Sequence, residues 1–277
     1  MTPHVSVIIP ASNEGQYIGP CLSAVLASGP LPHHLVDVLV VANGCKDDTV
    51  AVARSFHDMA VQRGWSLRVL DLPEGNKINA LNTGEGHANG DLRIYLDADV
   101  VVSPDVLPEL VDVLATDQAR YGAATPRIPA PESWITARYA RFWQRLPFAR
   151  SNAAGFGLFA VNAAGRARWG RFPDIISDDT FVRLQFTPRE RVQVGATYDW
   201  PMAEGLARLV RVRRRQDQGI AQLATLFPDL MQNDDKARPD IRALLKADPV
   251  GFCVYAAVSG LVRLTRRRNA TSWARGR

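Results

Sequence analysis

Two aspartates separated by one residue, Asp97 and Asp99, are the side chains in this sequence best suited to hold a divalent cation. Carboxylates are hard oxygen ligands, and Mg²⁺ or Mn²⁺ bound in this way keeps open positions for phosphate oxygens of a ligand. A D-x-D triplet alone recurs by chance, and the alternative is a solvated turn. Here the triplet lies between apolar residues 94–96 and 100–102, so both acids are expected at the edge of a buried sheet, where unpaired charges are costly.

A second acidic pair, Asp178 and Asp179, is the candidate general base. A carboxylate can take a proton from an acceptor hydroxyl while that oxygen attacks an electrophilic carbon. Aspartate is also a favoured N-cap residue, and residues 181–186 read as a helix. We therefore expect one aspartate of the pair to cap this helix and the other to be available for catalysis.

Lys77 is the candidate phosphate ligand, because it stands among Gly75, Asn76 and further amide side chains at the start of a predicted helix. Helix N-termini and lysine side chains both favour phosphate. The alternative is an ordinary exposed lysine at a loop-to-helix junction.

Four short apolar runs must position these residues: residues 5–10, 36–41, 66–70 and 92–96. Helical patterns at residues 16–27, 49–63 and 105–114 alternate with them, which is typical of a mainly parallel sheet. The predicted helix starts are Ser12 or Asn13, Asp47 or Asp48, and Ser103-Pro104 with the proline at the first helical position. Ligands of such sheets lie outside the carboxyl ends of the strands, so the polar residues 10–14, 42–48 and 97–99 should converge on one cleft.

The second half of the chain reads differently. Residues 126–147 are punctuated by proline and contain four aromatic residues on a predicted amphipathic helix that would shape a pocket wall: Trp134, Tyr139, Phe142 and Trp143. Composition allows one large domain plus an appendage, and we place the boundary between residues 1–203 and residues 204–277.

The basic character of the chain belongs to its tail. Residues 208–277 contain 15 Lys and Arg against 6 Asp and Glu, a net charge of +9, which leaves −4 on the first 207 residues of the total of +5. Such a tail suits an anionic lipid surface, although charge alone would attract nucleic acid as well. The apolar residues 250–262 would form a helix only ~20 Å long, too short for a bilayer core of ~30 Å. They predict either peripheral membrane docking or a core helix.

Cysteine usage and the start of the sequence favour the cytoplasm. Cys21, Cys45 and Cys253 lie far apart and form no C-x-x-C pair, so reduced thiols are expected. The first residues lack a basic segment, and the apolar run behind them is too short for a signal peptide.

The order of the clusters resembles the family-2 glycosyltransferases with the GT-A fold. The resemblance covers roughly residues 4–190 and rests on P-A-S-N-E, N-G-C-K-D-D-T, G-N-K-I-N-A-L-N, D-A-D and S-D-D, in this order. It implies an α/β fold with a Rossmann-type mixed, mainly parallel sheet flanked by helices, here followed by a C-terminal helical extension. It also implies a metal-dependent, inverting transfer of a sugar from a nucleoside diphosphate sugar, with a UDP-sugar favoured, to a saccharide or lipid-linked acceptor.

The same resemblance implies a role for each matching residue. The metal, Mg²⁺ or Mn²⁺, would be held by Asp99 and Asp97, and Asp179 would be the catalytic base with Asp178 beside it. The acceptor side would include Gly155, Phe156 and Gly157. Contacts to the nucleotide sugar would come from Pro10, Ala11, Asn13, Glu14, Asn43, Lys77, Asp97 and Ala98.

Two departures from the family pattern bear on the identity of the nucleotide base and on processivity. Ala42-Asn43 stands where many members carry Asp-Asp, an aspartate that often contacts uracil, so the base is left open. Arg215-Gln216 lies near the Q-x-x-R-W signature of processive synthases but lacks its tryptophan, which disfavours a processive enzyme. The expected setting is cell-surface polysaccharide or glycolipid synthesis on the inner face of the plasma membrane, with no nucleic-acid partner.

Two rival classes remain as alternatives. A dinucleotide-dependent oxidoreductase shares the βαβ order, but residues 11–15 read A-S-N-E-G and lack G-x-G-x-x-G. A non-catalytic nucleotide-sugar-binding or membrane-associated scaffold of the same fold is disfavoured because Asp97, Asp99 and Asp179 are all present.

Overall fold

Eight strands form one mixed sheet in the order β3-β2-β1-β4-β7-β6-β8-β5. A computed structural model describes residues 3–150, 153–235, 237 and 239–265 of the chain. The strands are β1 (His4–Ala11), β2 (Leu35–Asn43), β3 (Ser66–Leu72), β4 (Leu92–Leu96), β5 (Val101–Val102), β6 (Tyr121–Arg127), β7 (Leu158–Asn162) and β8 (Arg191–Asp199).

The four strands predicted from the sequence are confirmed and lie side by side in parallel. β1 pairs with β2 from His4 opposite Leu35 to Ala11 opposite Ala42, and with β4 on its other side. β3 pairs with β2 in parallel as well. The carboxyl ends of these four strands therefore meet at one edge of the sheet. β7 joins them antiparallel to β4, and β6 and β8 extend the sheet beyond it.

Eleven α-helices are present in the described part of the chain, and several 3₁₀ turns separate them. They are α1 (Gly15–Leu26), α2 (Thr49–Arg54), α3 (His57–Gln62), α4 (Lys77–His87), α5 (Val106–Leu114), α6 (Trp134–Trp143), α7 (Ala163–Arg166), α8 (Asp178–Leu184), α9 (Leu206–Leu226), α10 (Ile241–Ala247) and α11 (Pro249–Thr265).

One predicted helix is broken. Residues 49–63 form α2 and α3 instead of a single helix, with Ser55 and Phe56 between them. The Ser55 hydroxyl donates to the carbonyl of Val52 at 2.7 Å, a local bond with which serine competes against the regular helix.

The predicted helix start at Asp47 or Asp48 is confirmed, because Asp48 is the N-cap residue of α2, and the other two starts are shifted. The N-cap residue of α1 is Glu14 rather than Ser12 or Asn13, and its side chain makes no capping hydrogen bond. Asn13 has a positive φ of 52°. Its side-chain oxygen Oδ1 accepts a hydrogen bond from the backbone amide of Lys46 at 2.7 Å, so this side chain connects two loops instead of capping a helix. Pro104 precedes the N-cap Asp105 of α5 and is not the first helical residue.

The two faces of the sheet are covered by separate hydrophobic clusters. Along β1, Val5, Val7 and Ile9 point into the cluster that contains α1 and α5, whereas Ile8 points into the cluster that contains α4 and α8. This alternation follows from the two-residue period of a strand and explains why β1 is apolar throughout.

The C-terminal helices build a third cluster with α6. Val258 and Val262 of α11 are buried there beside Leu209 of α9 and Phe142 of α6. The other side of α11 is exposed, as Leu264 at 81% shows. The burial of Val258 and Val262 confirms a place for this helix in the core, and peripheral membrane docking by its exposed side stays a prediction.

No helix in the described residues is long and apolar enough to cross a bilayer. The run Arg266-Arg267-Arg268, part of the predicted basic tail, lies outside the described residues. The boundary predicted after residue 203 falls between β8 and α9, and the division into two domains stays a prediction.

Candidate active site

A cleft with about 1620 Å³ of empty space, partly open to solvent, lies at the carboxyl edge of the parallel strands. Asn43 from the end of β2 and Asp97 from the end of β4 face it. Lys77, at the first turn of α4, and Asp179, in the first turn of α8, line it as well. Further predicted residues in its wall are Pro10, Glu14, Ala98, Asp99, Phe156, Gly157 and Asp178.

Lys77 bridges the two acidic pairs. Its Nζ lies 3.0 Å from Oδ1 of Asp97 and 3.2 Å from Oδ2 of Asp178. The lysine side chain is 23% exposed and that of Asp178 is 7% exposed. Burial opposes the charged lysine, but the charges of Asp178 and Asp97 outweigh it and raise the pKa of Lys77 above its usual value. The ammonium group is therefore charged and fixed between the carboxylates.

Asp179 follows Asp178 in the first turn of α8. Burial and the neighbouring charge of Asp178 raise the pKa of Asp179 to about 6, while the charge of Lys77 acts in the opposite direction. A general base that works near neutral pH needs a pKa in this range.

Neither aspartate of the pair caps α8, contrary to the prediction. The N-cap is Ser177, and Asp178 and Asp179 both lie in the first helical turn. Oδ1 of Asp179 accepts from the amide of Thr180 at 2.6 Å. The positive end of the helix dipole still faces both carboxylates, because the dipole acts over the whole first turn.

The D-x-D turn is held by backbone contacts from β7. The amide of Asp97 donates to the carbonyl of Gly157 at 2.8 Å. Gly157 has φ +66°, and a Cβ there would lie 3.1 Å from Trp200 and from Val100, closer than side chains normally approach. Glycine at position 157 thus lets the D-x-D turn lie close to Trp200.

The donor set of the turn suits a cation that arrives with a phosphate ligand. The described residues contain no group of three or more His, Cys, Asp or Glu side chains that could enclose a metal ion. Mg²⁺ and similar ions are usually bound by one or two carboxylates together with substrate phosphates and water, and not by a complete protein cage. Asp97 and Asp99 fit this pattern.

The loops after β1, β2 and β3 pack closely on one another. The amide of Glu14 donates to the hydroxyl of Thr49 at 2.7 Å. Gly44 has φ +58°, and a Cβ there would lie 2.4 Å from the amide nitrogen of Gly75. Asn43 is 1% exposed, and its amide group donates to the carbonyl of Ala11 at 2.8 Å. This end of the cleft is thereby fixed by hydrogen bonds between side chains and backbone and by the close approach of Gly44 to Gly75.

Three predicted site residues are not among the side chains that line the cleft. Ala11 is 1% exposed and packs in the cluster on the other side of β1. Asn13 bonds to the loop after β2, as described above. Gly155 has φ +74° and packs against Tyr121, whose hydroxyl would lie 1.9 Å from an added Cβ. The assignment of Ala11 and Asn13 to the nucleotide sugar and of Gly155 to the acceptor side stays a prediction.

One half of the cleft is mainly aromatic, and two of its residues, Trp200 and Met202, were not predicted. Trp143, Phe156 and Trp200 pack on one another with ring centroids 5.2–5.6 Å apart. Tyr139 and Met202 extend the same wall. The aromatic helix predicted in residues 126–147 supplies Tyr139 and Trp143. Trp200 directly follows β8, so the rule of polar and functional residues at strand ends would have found it had β8 been recognised.

Arginines of α9 also line the cleft. Arg213 and Arg215 line it together with Gln216. Arg213 lies over the ring of Tyr255 at 5.8 Å and bonds to Asp217 at 3.3 Å. The cleft therefore combines an acidic wall, an aromatic wall and a basic wall.

Solved structures share this architecture. The mannosyltransferase PcManGT from Pyrobaculum calidifontis in complex with GDP-Man and Mn²⁺ superposes with a TM-score of 0.62 at 20% identity, over 98% of this chain and 77% of that one. The S. aureus TarS fragment 1–349 in complex with UDP-GlcNAc gives a TM-score of 0.55 at 13% identity, over 96% and 93% of the two chains. The predicted GT-A-like α/β fold is thus confirmed.

Sequence comparison identifies the family. The undecaprenyl-phosphate 4-deoxy-4-formamido-L-arabinose transferase of Sodalis glossinidius is 31% identical over 139 residues, which are 50% of this chain and 41% of that protein. The match thus spans about two fifths of that relative's length. The family model described as glycosyl transferase family 2 matches residues 6–172, and this chain belongs to that family.

Proposed function

We propose that this chain is an inverting glycosyltransferase that moves a sugar from a nucleoside diphosphate sugar to an acceptor hydroxyl. The observation that carries the proposal is that Lys77 Nζ lies 3.0 Å from a carboxylate oxygen of Asp97 and 3.2 Å from one of Asp178, beside Asp179 in the same cleft. A cleft with an acidic wall and an aromatic wall suits a ligand with a diphosphate and a sugar ring.

Asp179 is assigned as the base. It removes the proton of the acceptor hydroxyl, and its raised pKa matches that task near neutral pH. One base on the face opposite the leaving group leads to a single displacement and hence to inversion. Asp178 keeps Lys77 in place at 3.2 Å.

Lys77 and the first turn of α4 are assigned to the diphosphate, because a fixed ammonium group and helix amides stabilise the charge that develops on it. Asp97 and Asp99 would hold Mg²⁺ or Mn²⁺, which when bound neutralises charge on the diphosphate oxygens. The Mn²⁺ in the Pyrobaculum complex supports this assignment by analogy of fold.

The nucleotide is assigned to the first two loops, with Pro10, Glu14 and Asn43 nearest to it. A UDP-sugar is favoured by the family resemblance, and the related folds bind GDP-Man and UDP-GlcNAc in their own structures. The aromatic wall with Phe156 and Gly157 would face the acceptor.

A lipid-linked saccharide is the proposed acceptor, in cell-surface polysaccharide or glycolipid synthesis at the cytoplasmic face of the plasma membrane. The name of the Sodalis relative, an undecaprenyl-phosphate transferase, supports a lipid acceptor. We place catalysis in residues 1–203 and assign residues 204–277 to a helical extension that closes the acceptor side through α9.

Turnover of donor sugars tests this function. The chain with Mn²⁺ is incubated with UDP-, GDP- and dTDP-sugars, and release of the nucleoside diphosphate is measured. We expect release from one donor class and a decrease of about 10²–10⁴-fold in Asp179→Asn. The matched control is Asp112→Asn, an exposed acid on α5 outside the cleft, which should turn over normally. Normal turnover by Asp179→Asn would overturn the base assignment, and absence of turnover with nucleotide binding retained would favour the scaffold alternative.

A second candidate function is transfer to a phosphate oxygen of a lipid phosphate. Arg213 and Arg215 line the cleft, and arginine is suited to bind phosphate. A phosphate monoester is largely ionised near neutral pH, since its second pKa is about 6, and needs no base. With a polyprenyl phosphate as acceptor, Asp179→Asn would then retain transfer, whereas Arg213→Gln would lose it.

A further inference from the structure

α11 carries an exposed apolar stripe that nothing in the described chain covers. Val250, Ala257, Leu261 and Leu264 lie within an arc of about 60° on one side of the helix, given 3.6 residues per turn. All four are exposed, with 45% for Val250, 37% for Leu261 and 81% for Leu264. We call these four residues the docking face.

The buried side of α11 fixes the orientation of this face. Val258 and Val262 are buried in the third cluster, at 0% and 3% exposure. Tyr255 stacks on Tyr139 with a centroid distance of 5.4 Å and packs against Phe142 at 5.1 Å. Rotating α11 to hide Leu261 and Leu264 would expose these residues, so the docking face points outward in the folded chain.

The surroundings of the docking face are basic. α10 presents Arg242 and Lys246, and α11 presents Arg263, all exposed. Asp248, between these two helices, is buried, accepts from the amide of Gly251 at 2.9 Å and lies 3.9 Å from Arg141, whereas Asp240, the N-cap of α10, is exposed. Three further arginines follow α11 directly in the sequence. α10 also exposes Ile241 at 58% and Leu245 at 41%.

We propose that the docking face binds the surface of a bilayer that contains anionic lipids. Apolar side chains flanked by exposed Lys and Arg suit this surface, because the side chains enter the boundary of the acyl region while the cations meet lipid headgroups. A second copy of the chain is a poorer occupant, since its own basic residues would approach those of the first. The proposal does not depend on the sugar-transfer reaction.

Docking would set the cleft beside the membrane. The buried side of α11 packs on α6 and α9, and these two helices supply Tyr139, Trp143 and Leu209 to the aromatic half of the cleft. An acceptor with a lipid tail could then reach the cleft from the bilayer surface along this layer of helices.

Vesicle sedimentation with the purified full chain tests the proposal without donor or acceptor. We expect the chain to sediment with vesicles of phosphatidylglycerol and phosphatidylcholine, and far less with phosphatidylcholine alone. The double variant Leu261→Gln/Leu264→Gln should bind the anionic vesicles about tenfold more weakly, because two exposed leucines no longer enter the lipid. The matched control is Met59→Gln/Val61→Gln on α3, which removes two apolar residues of 48% and 58% exposure elsewhere and should bind like the parent chain.

A charge variant separates the contribution of the basic residues to vesicle binding from that of the apolar residues. Arg242→Gln/Lys246→Gln should weaken binding to anionic vesicles, and Arg54→Gln, an exposed cation on α2, should not. Equal binding of the leucine double variant and the parent chain would overturn the proposal. So would a dimer in light scattering that Leu261→Gln/Leu264→Gln dissociates, because the face would then be an interface between copies. Loss of donor turnover with vesicle binding retained would concern the proposed enzyme and not this face.

Discussion

Asp179 lies where burial and a like charge act on the same carboxylate. Both effects disfavour its ionised form, and the charge of Lys77 and the hydrogen bond from the amide of Thr180 oppose them. The sequence predicted the acidic pair, the lysine and the D-x-D turn, because each follows a strand or opens a helix. It did not predict that Lys77 would bridge Asp97 and Asp178. That contact depends on how three distant segments pack in the fold, and the local pattern of each segment does not show this.

The acid limb of the activity profile follows from this environment. Asp179 must be ionised to act as a base, and its pKa is raised to about 6. Below that pH the base is protonated, so log kcat/KM should fall by about one unit per pH unit. Steady-state kinetics across a pH series measure this limb. A profile that stays flat to about pH 5 would contradict the role of Asp179.

The same shift predicts that Asp179 destabilises the fold at neutral pH. The folded state binds the proton more tightly than the unfolded chain, so the contribution to stability is greatest at acid pH and is lost as the pH rises from about 4 through about 6. Asp179→Asn should therefore raise the free energy of unfolding at pH 7.5 by about 1–3 kcal/mol.

Urea unfolding at pH 7.5 and at pH 4 measures this effect. The gain should be smaller at the lower pH, where Asp179 is protonated in the folded chain and half protonated in the unfolded one. An equal gain at both pH values would assign the stabilisation to packing instead of charge.

At the scale of elements, Gly44 in the loop after β2 packs closely against Gly75 in the loop after β3. Gly44 adopts φ +58°, and a Cβ added to it would lie 2.4 Å from the backbone nitrogen of Gly75. This contact holds the start of α4, and with it Lys77, close to Asn43 at the end of β2. The order of these loops was predictable from the parallel strands.

Gly44→Ala should lower both stability and nucleotide affinity. The left-handed conformation alone costs an alanine about 1–2 kcal/mol, and the added Cβ would also lie 2.4 Å from Gly75. Gly64→Ala is the matched control, since Gly64 has φ +74° but nothing within 4 Å of an added Cβ. We expect Gly64→Ala to cost only the conformational part and to leave nucleotide binding unchanged in a titration with UDP or GDP. Equal effects of the two variants would show that the loop contact does not position the site.

The elements that the sequence did not predict belong to the second half of the sheet. β7 has five residues, all buried, and pairs antiparallel with β4 more than sixty positions earlier in the chain. Such a short apolar run carries no information about its partner. In β8, Val194, Ala196 and Tyr198 are buried at every second position, a signal of a strand that the sequence does contain.

At the scale of the whole molecule, the segment after residue 203 holds the helix that carries the acidic pair. Gly219 of α9 packs so closely on Ser177, the N-cap of α8, that an added Cβ would lie 2.0 Å from the serine hydroxyl. Near the other end of α8, Asp235 lies 2.5 Å from Arg183 and 3.0 Å from Arg191, whose side chains are 4% and 0% exposed. The C-terminal segment thus positions α8 from two sides.

Asp235→Ala should reduce the free energy of unfolding by about 3 kcal/mol. It would leave the buried guanidinium groups of Arg183 and Arg191 without this carboxylate, and loss of one partner of a buried pair is costly. Asp229→Ala, an exposed acid in the same segment, should change stability by less than about 0.5 kcal/mol. Urea unfolding of both variants measures the difference, and similar values would show that Asp235 does not hold α8.

The central claim is that one cleft binds a cation and a diphosphate between Asp97, Asp99 and Lys77. Crystals grown with Mn²⁺ and a nucleoside diphosphate, measured at the manganese absorption edge, test it most directly. We predict one strong anomalous peak within coordination distance of the Asp97 and Asp99 carboxylates, with the diphosphate next to Lys77, and no such peak in Asp99→Asn. A peak elsewhere, or a nucleotide bound away from these three side chains, would contradict the account.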